Sequence, residues 1–227
     1  MEECLPTIAG QPDHGDVWSR GWTAEAGRHV VEHPDFFLSR CMTVGAQVRV
    51  DYRLVAAPGF RFIWAMHALV MPDVGTRLDL PAGHPVRAWP SGATAVQRTW
   101  PRVTENSWDR LGEDDGSAVF ALLPGLDRCA VTAPDGSSLG WRIWAPGQPV
   151  SIGLFRNLGG FPDRLSGYRT LGIEPMIGHA HELATARPAE TGCVPASGEV
   201  EWSVAVTSAA TRPTRSPAVG TPAADRE

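Results

Sequence analysis

The chain has 227 residues, a length that a single all-β domain fills comfortably, and its 43% hydrophobic and 20% charged content is globular. A formal net charge of -5 and a pI of about 5.8 argue against a surface built for nucleic acid or for an anionic membrane. The 24 Gly and 20 Pro residues suit many turns and few long helices, and the cationic side chains are all Arg, since Lys is absent.

Residues 1–27 show little periodicity and read as a loop with one short strand near 17–22. Residues 29–33 and 36–44 read as a strand pair. Residues 47–54 give the clearest strand, because Val48, Val50, Tyr52 and Leu54 alternate with polar neighbours at a period of two. After the turn at Ala57-Pro58-Gly59, Phe60, Phe62, Trp64 and Met66 share one face of a strand that runs into His67. Residues 76–80 form a short strand that Pro81 ends. Residues 82–116 are irregular and contain Trp89, Trp100 and Trp108. That is too long for a structureless loop, so the stretch either carries function or hides strands without a pattern.

Residues 117–123, 128–133, 140–144 and 149–155 read as successive strands separated by Pro/Gly turns. Residues 199–206 alternate through Val200, Trp202, Val204 and Val206 and close the ordered part. Together these elements predict one all-β domain over residues 1–207, a β-sandwich or a related large antiparallel sheet system. Residues 208–227 are rich in Ala, Thr, Pro and Arg, lack an apolar pattern, and are expected to be a disordered tail.

The four cysteines are far apart and form no CxxC pair, which argues for reduced, buried thiols rather than a zinc site or a disulfide framework. No signal peptide stands out, and no apolar run approaches the ~20 residues of a membrane helix. The expected location is the cytoplasm. Nine Trp residues suit a core and equally suit a platform for the apolar faces of sugars.

Three residues stand out as chemical candidates. His14 lies in the turn Asp13-His14-Gly15, which can present a ring to a cleft or leave it as plain surface. His67 ends an apolar strand, as a proton-transfer group or as a buried imidazole bonded to a carbonyl. Glu174 sits in the apolar run Leu171-Gly172-Ile173-Glu174-Pro175, where a carboxylate must be satisfied or have a chemical role. Its plain alternative is an ion pair with Arg156 or Arg169. Arg156 and Asn157, in a glycine-rich stretch, read either as sugar contacts or as a structural turn. Trp18, Trp22 and Trp64 are candidates for a cleft wall. His179, His181 and Glu182 do not have zinc-ligand spacing, and Gly159-Gly160 precedes no helix that could cradle a phosphate.

In combination, Asp13-His14-Gly15, Trp64-Ala65-Met66-His67 and Gly172-Ile173-Glu174-Pro175 resemble the galactose mutarotase (aldose 1-epimerase) superfamily, in which a His-Gly segment, a strand-borne histidine and a glutamate come in this order. Ser197-Gly198-Glu199 and the strand after it are similar to the family's closing Pro-Gly-Glu turn, with Ala196-Ser197 where Pro is usual. The resemblance spans most of residues 5–206. It implies a β-supersandwich, mostly antiparallel, and acid–base chemistry at C1 of a free hexose with no cofactor or metal. By this likeness His67 protonates the ring oxygen, Glu174 takes the proton of the C1 hydroxyl, and His14 hydrogen-bonds the sugar and helps to stabilise charge at the ring oxygen; Arg156, Asn157 and Trp64, from their own sequence contexts, are expected to contact the sugar as well. Family members usually carry several more strands before the His-Gly segment. The resemblance therefore also implies a sheet edge that a partner, such as a second copy of the chain, would cover. Two alternatives share the fold: a non-catalytic carbohydrate-binding protein, and a sugar-phosphate 1-epimerase, which would need arginines at the cleft mouth.

Overall fold

A computed structural model of the chain describes residues 2–5, 14–90, 94–163, 165 and 167–210. In chain order the first strands are β1 (Glu2–Cys4), β2 (Thr23–Glu25), β3 (Arg28–His33), β4 (Phe36–Val44), β5 (Val48–Ala56), β6 (Arg61–Phe62), β7 (Trp64–Val70), β8 (Arg77–Asp79) and β9 (Pro85–Pro90). They continue with β10 (Val96–Thr99), β11 (Ser117–Pro124), β12 (Arg128–Thr132), β13 (Ser138–Trp144), β14 (Val150–Leu158), β15 (Arg169–Ile177), β16 (Gly192–Cys193) and β17 (Glu199–Ala209). A seven-stranded sheet has the order β1-β7-β15-β14-β11-β9-β10, and an eight-stranded sheet has the order β2-β3-β4-β5-β17-β13-β12-β8. The short pair β16-β6 is separate. Among the described residues the pairings between named strands are antiparallel, and no helix is long and apolar enough to cross a membrane.

The two sheets stack on their apolar faces, as the alternating strands require. The residues of β5 that alternate inward, Val50, Tyr52 and Leu54, meet Trp202 and Val204 of β17 and Trp64 and Met66 of β7 in one cluster. A second cluster fills the other half of the interface, with Val119 and Ala121 of β11, Leu154 of β14, Leu171 and Ile173 of β15, and Trp141 of β13. Strands β14 and β15 are buried on both faces, which is why their sequences read as apolar runs without alternation. Their second face is covered by a smaller cluster of Ile63, Ala65, Leu122, Met176 and Ala180, with Trp89 and Phe120 partly buried against it.

Several boundaries differ from the sequence reading. Residues 16–19 form turns, and the first strand after them is β2, shifted from the expected 17–22. The run from Phe60 to His67 is divided between β6 and β7 at Ile63, whose side chain belongs to the small third cluster. The irregular stretch 82–116 contains β9 and β10. Strand β17 extends to Ala209, two residues into the expected tail; residues 211–227 lie outside the described residues.

Candidate active site

Glu174 and His67 are brought together by strand register. Ile173 pairs with Ala68 and Met176 with Ala65, which sets Glu174 opposite His67 on neighbouring strands. Side chains in register on adjacent strands point to the same face. Here Nε2 of His67 lies 3.5 Å from Oε2 of Glu174. The face they share is the one turned away from the eight-stranded sheet, since Leu171 and Ile173 on the opposite parity enter the inter-sheet core.

Two glycines clear the floor around this pair. Gly153 is the partner of Glu174 on β14, and Gly172 is two residues before it on β15. A Cβ on Gly153 would stand 3.1 Å from Glu174 Cβ and 3.1 Å from Phe120 Cε2, so the carboxylate stem and the ring edge face each other across the glycine. A Cβ on Gly172 would stand 3.1 Å from Glu174 Oε1 and 3.0 Å from Phe155 Cβ.

Burial governs the protons of the pair. Glu174 is only 6% exposed, and desolvation pushes its carboxyl up to about 8. Desolvation first, and the nearby His14 second, push His67 down to about 4. Both shifts favour the uncharged forms, a protonated Glu174 and a neutral His67.

His14 comes from outside the sheet. It is exposed, adopts a φ of 59°, and its ring centroid lies 5.4 Å from that of His67 and 5.5 Å from that of Trp18. A left-handed backbone at a non-glycine residue is a strained conformation that its surroundings must hold in place. Those surroundings come from both sheets. Gly15 bridges to Leu5, just beyond β1, and the Asp16 amide donates to the Leu5 carbonyl at 3.0 Å. The buried Asp16 carboxylate lies 3.8 Å from His33 Nε2 at the end of β3, and Val17 enters the inter-sheet core.

His181 also belongs here, although its sequence context gave only a weak metal reading. Its ring centroid is 5.0 Å from Phe120 and 5.2 Å from Trp89. Burial holds its pKa below the ordinary value; Glu182 opposes that shift and His14 adds to it. His179 faces elsewhere and donates to the Val150 carbonyl at 3.0 Å. Among the described residues no group of three His, Cys, Asp or Glu side chains is placed to hold a metal ion.

Trp64, Arg156 and Asn157 are not beside this pair. Trp64 is three residues from His67 on one strand, hence on the opposite face, and is fully buried between Tyr52 and Trp202. Arg156 likewise has the wrong parity on β14. Its guanidinium donates to Ser117 Oγ and to the Asp115 carboxylate and lies over the Trp108 ring. Asn157 is fully buried; its Oδ1 accepts from the amides of Gly160 and Phe161 and its Nδ2 donates to the Phe161 carbonyl. That is the structural-turn alternative. Arg169 is tied to Asp114, so neither arginine forms the ion pair that would have explained Glu174 away.

The fold recurs in solved structures. A protein from Escherichia coli K12 described as a candidate aldose 1-epimerase superposes with a TM-score of 0.64 over 86% of this chain and 71% of its own, at 15% identity. A galactose mutarotase related enzyme from Lactobacillus acidophilus gives 0.61 over 88% and 75%, at 14% identity. A candidate mutarotase from Salmonella typhimurium gives 0.60 over 90% and 72%, at 12% identity. The chain has the galactose mutarotase-like fold. A scan against protein-family models returns no match, and neither does a search of curated proteins. Within the mutarotase-like fold, the His67–Glu174 pair lies on the outer face of the seven-stranded sheet.

Proposed function

We propose that this protein is an aldose 1-epimerase-like isomerase that interconverts the α and β anomers of a free sugar. The observation that carries this reading is the His67–Glu174 pair, 3.5 Å apart at a glycine-lined floor with His14 beside it. Ring opening of a hemiacetal needs one proton delivered to the ring oxygen and one taken from the C1 hydroxyl. The C1–O5 bond then breaks and the aldehyde forms. Rotation about C1–C2 and closure on the other face return both protons. Each half of this cycle shifts the pair's single proton from one partner to the other, so net charge is unchanged throughout.

The family likeness assigns the acid to His67, whereas burial favours the proton on Glu174. The two states differ only in where that proton sits. A sugar's hydroxyls, by solvating the ion pair, favour the carboxylate–imidazolium form that the likeness requires. A sugar-phosphate substrate gains less support, because Arg87, Arg156 and Arg169 are each bound to a carboxylate.

Polarimetry on freshly dissolved α-glucose or α-galactose tests the proposal. The wild-type chain is expected to speed the approach to anomeric equilibrium. His67→Asn and Glu174→Gln are each expected to lose on the order of 10²-fold or more of that rate. Full activity in both variants sinks the assignment. Sugar binding by calorimetry without anomerisation by the wild type selects the binding-protein alternative.

A further inference from the structure

Three tryptophans of this chain carry a cation of its own over the ring. Arg40 lies 4.0 Å over Trp22, Arg156 5.3 Å over Trp108 and Arg87 5.4 Å over Trp89. Trp144 is the most exposed of the nine, at 61%, and among the described residues no guanidinium lies over it. It ends β13, whose Trp141 and Ile143 enter the inter-sheet core. By parity Trp144 therefore stands on the outer face of the eight-stranded sheet. It pairs with Ser203, which makes Glu201 its diagonal neighbour on the same face of β17. Trp144, Pro146, Pro195, Glu199 and Glu201 are among the residues that line a cleft of about 460 Å³ there.

The cleft is rich in acceptors and poor in donors. Glu199 accepts from Nε and Nη2 of Arg53, each at 2.6 Å, so those two charges cancel. Glu201 adds a second carboxylate, which reaches the same Arg53 only through the longer-range field, and the cleft is left with one negative charge in excess. Gln148 commits both ends of its amide to the backbone of Cys193. Ser197 Oγ donates to the Glu199 carbonyl, and Pro146 and Pro195 have no amide hydrogen. An anion needs donors, and a polyol needs donors as well as acceptors. An alkylated ammonium needs neither: its methyl groups pack on apolar surface, and its charge is drawn to an aromatic face and to a carboxylate.

We propose that this cleft binds a small alkylated ammonium, with its methyl groups against the Trp144 ring and the two prolines and its charge toward Glu201. The site belongs to the sheet that does not carry His67 and Glu174, so it stands apart from the isomerase reading.

The test titrates the full chain with choline and with dimethylbutanol, its uncharged carbon isostere, read by saturation-transfer NMR on the ligand methyl signals. Choline is expected to saturate with a Kd on the order of 1 mM, and the isostere to bind about fivefold more weakly, the scale of one cation–π contact. Trp144→Ala and Glu201→Gln are each expected to weaken choline by about fivefold or more. Glu201→Gln should also narrow the gap between choline and the isostere. Both side chains lie at the surface, so thermal melts are expected to show folded variants. Failure of choline to saturate overturns the site, and so does equal affinity for the isostere, which would mark a merely apolar slot. Choline affinity unchanged in both variants overturns the placement. Cellobiose that displaces choline at lower concentration than choline itself binds overturns the cation in favour of a sugar platform. Neither residue touches the acid–base pair, so none of these outcomes bears on mutarotation.

Discussion

At the scale of single residues, the proton shared by Glu174 and His67 links activity to stability. The one-proton state exists between about 4 and about 8, so kcat/KM for a free sugar is expected to trace a bell with limbs near those values. Stability follows a different curve. Glu174 has a folded-state pKa above its ordinary 4.5, so the folded state holds a proton that the unfolded chain has released, and stability falls as pH rises through that interval. His67 has a folded-state pKa below its ordinary 6.5, so the unfolded chain binds more protons, and stability rises with pH up to about 6.5. The two contributions oppose one another at acidic pH. Above 6.5 only that of Glu174 remains. Glu174→Gln is therefore expected to gain in Tm over the wild type between pH 6.5 and 8.5, while losing activity. Thermal melts at the two pH values check this. An equal Tm difference at both would show that the carboxyl titrates in its ordinary range.

At the scale of elements, the cleft depends on parity and on missing Cβ atoms. Gly153→Ala places a methyl against Met176 Sδ, Glu174 Cβ and Phe120 Cε2 at 3.0 to 3.1 Å, in a central strand where little can yield. The expected result is a folded protein, destabilised by about 1–3 kcal/mol, whose kcat/KM falls further than that loss of folded protein explains. Urea melts and polarimetry on the same sample separate the two effects. Parity also explains what was legible in the sequence. Val48 to Leu54 alternate because only one face of β5 meets the core, and that strand was plain. Trp64 and His67 are three apart on one strand, so their opposite directions were readable from spacing alone. Arg156 was not, because its face follows from the pairing of β14 with β15, which sequence does not state. Strands β9 and β10 escaped notice because proline bounds one and the other, Val96–Thr99, is almost wholly solvent-facing. His181 lies in a segment without periodicity, and only the fold brings it to Phe120 and Trp89.

At the scale of the whole molecule, two apolar clusters between the sheets, rather than surface charge pairs, hold the sandwich. Trp202 stacks on Tyr52 at 5.2 Å and meets Trp64 edge-on at the same distance. Trp202→Ala is expected to cost about 3–5 kcal/mol in urea unfolding. Trp144, which is 61% exposed, is one strand away on β13 and is the internal control; Trp144→Ala is expected to stay within about 0.5 kcal/mol of wild type. Comparable losses from both would mean that Trp144 is covered in solution.

The turn that carries His14 has a consequence at this scale. It is fastened to Leu5 on the side of one sheet and, through Asp16, to His33 on the other, whereas His67 and Glu174 ride on the first sheet alone. The spacing between imidazole and acid–base pair is thus a gauge of how the two layers sit against each other. A slip of one layer by a fraction of a strand spacing would part His14 from His67 while every ladder hydrogen bond stayed intact. In a urea titration, catalysis is expected to fade at a lower concentration than the far-ultraviolet β signal, and sugar at saturating concentration should draw the two midpoints together.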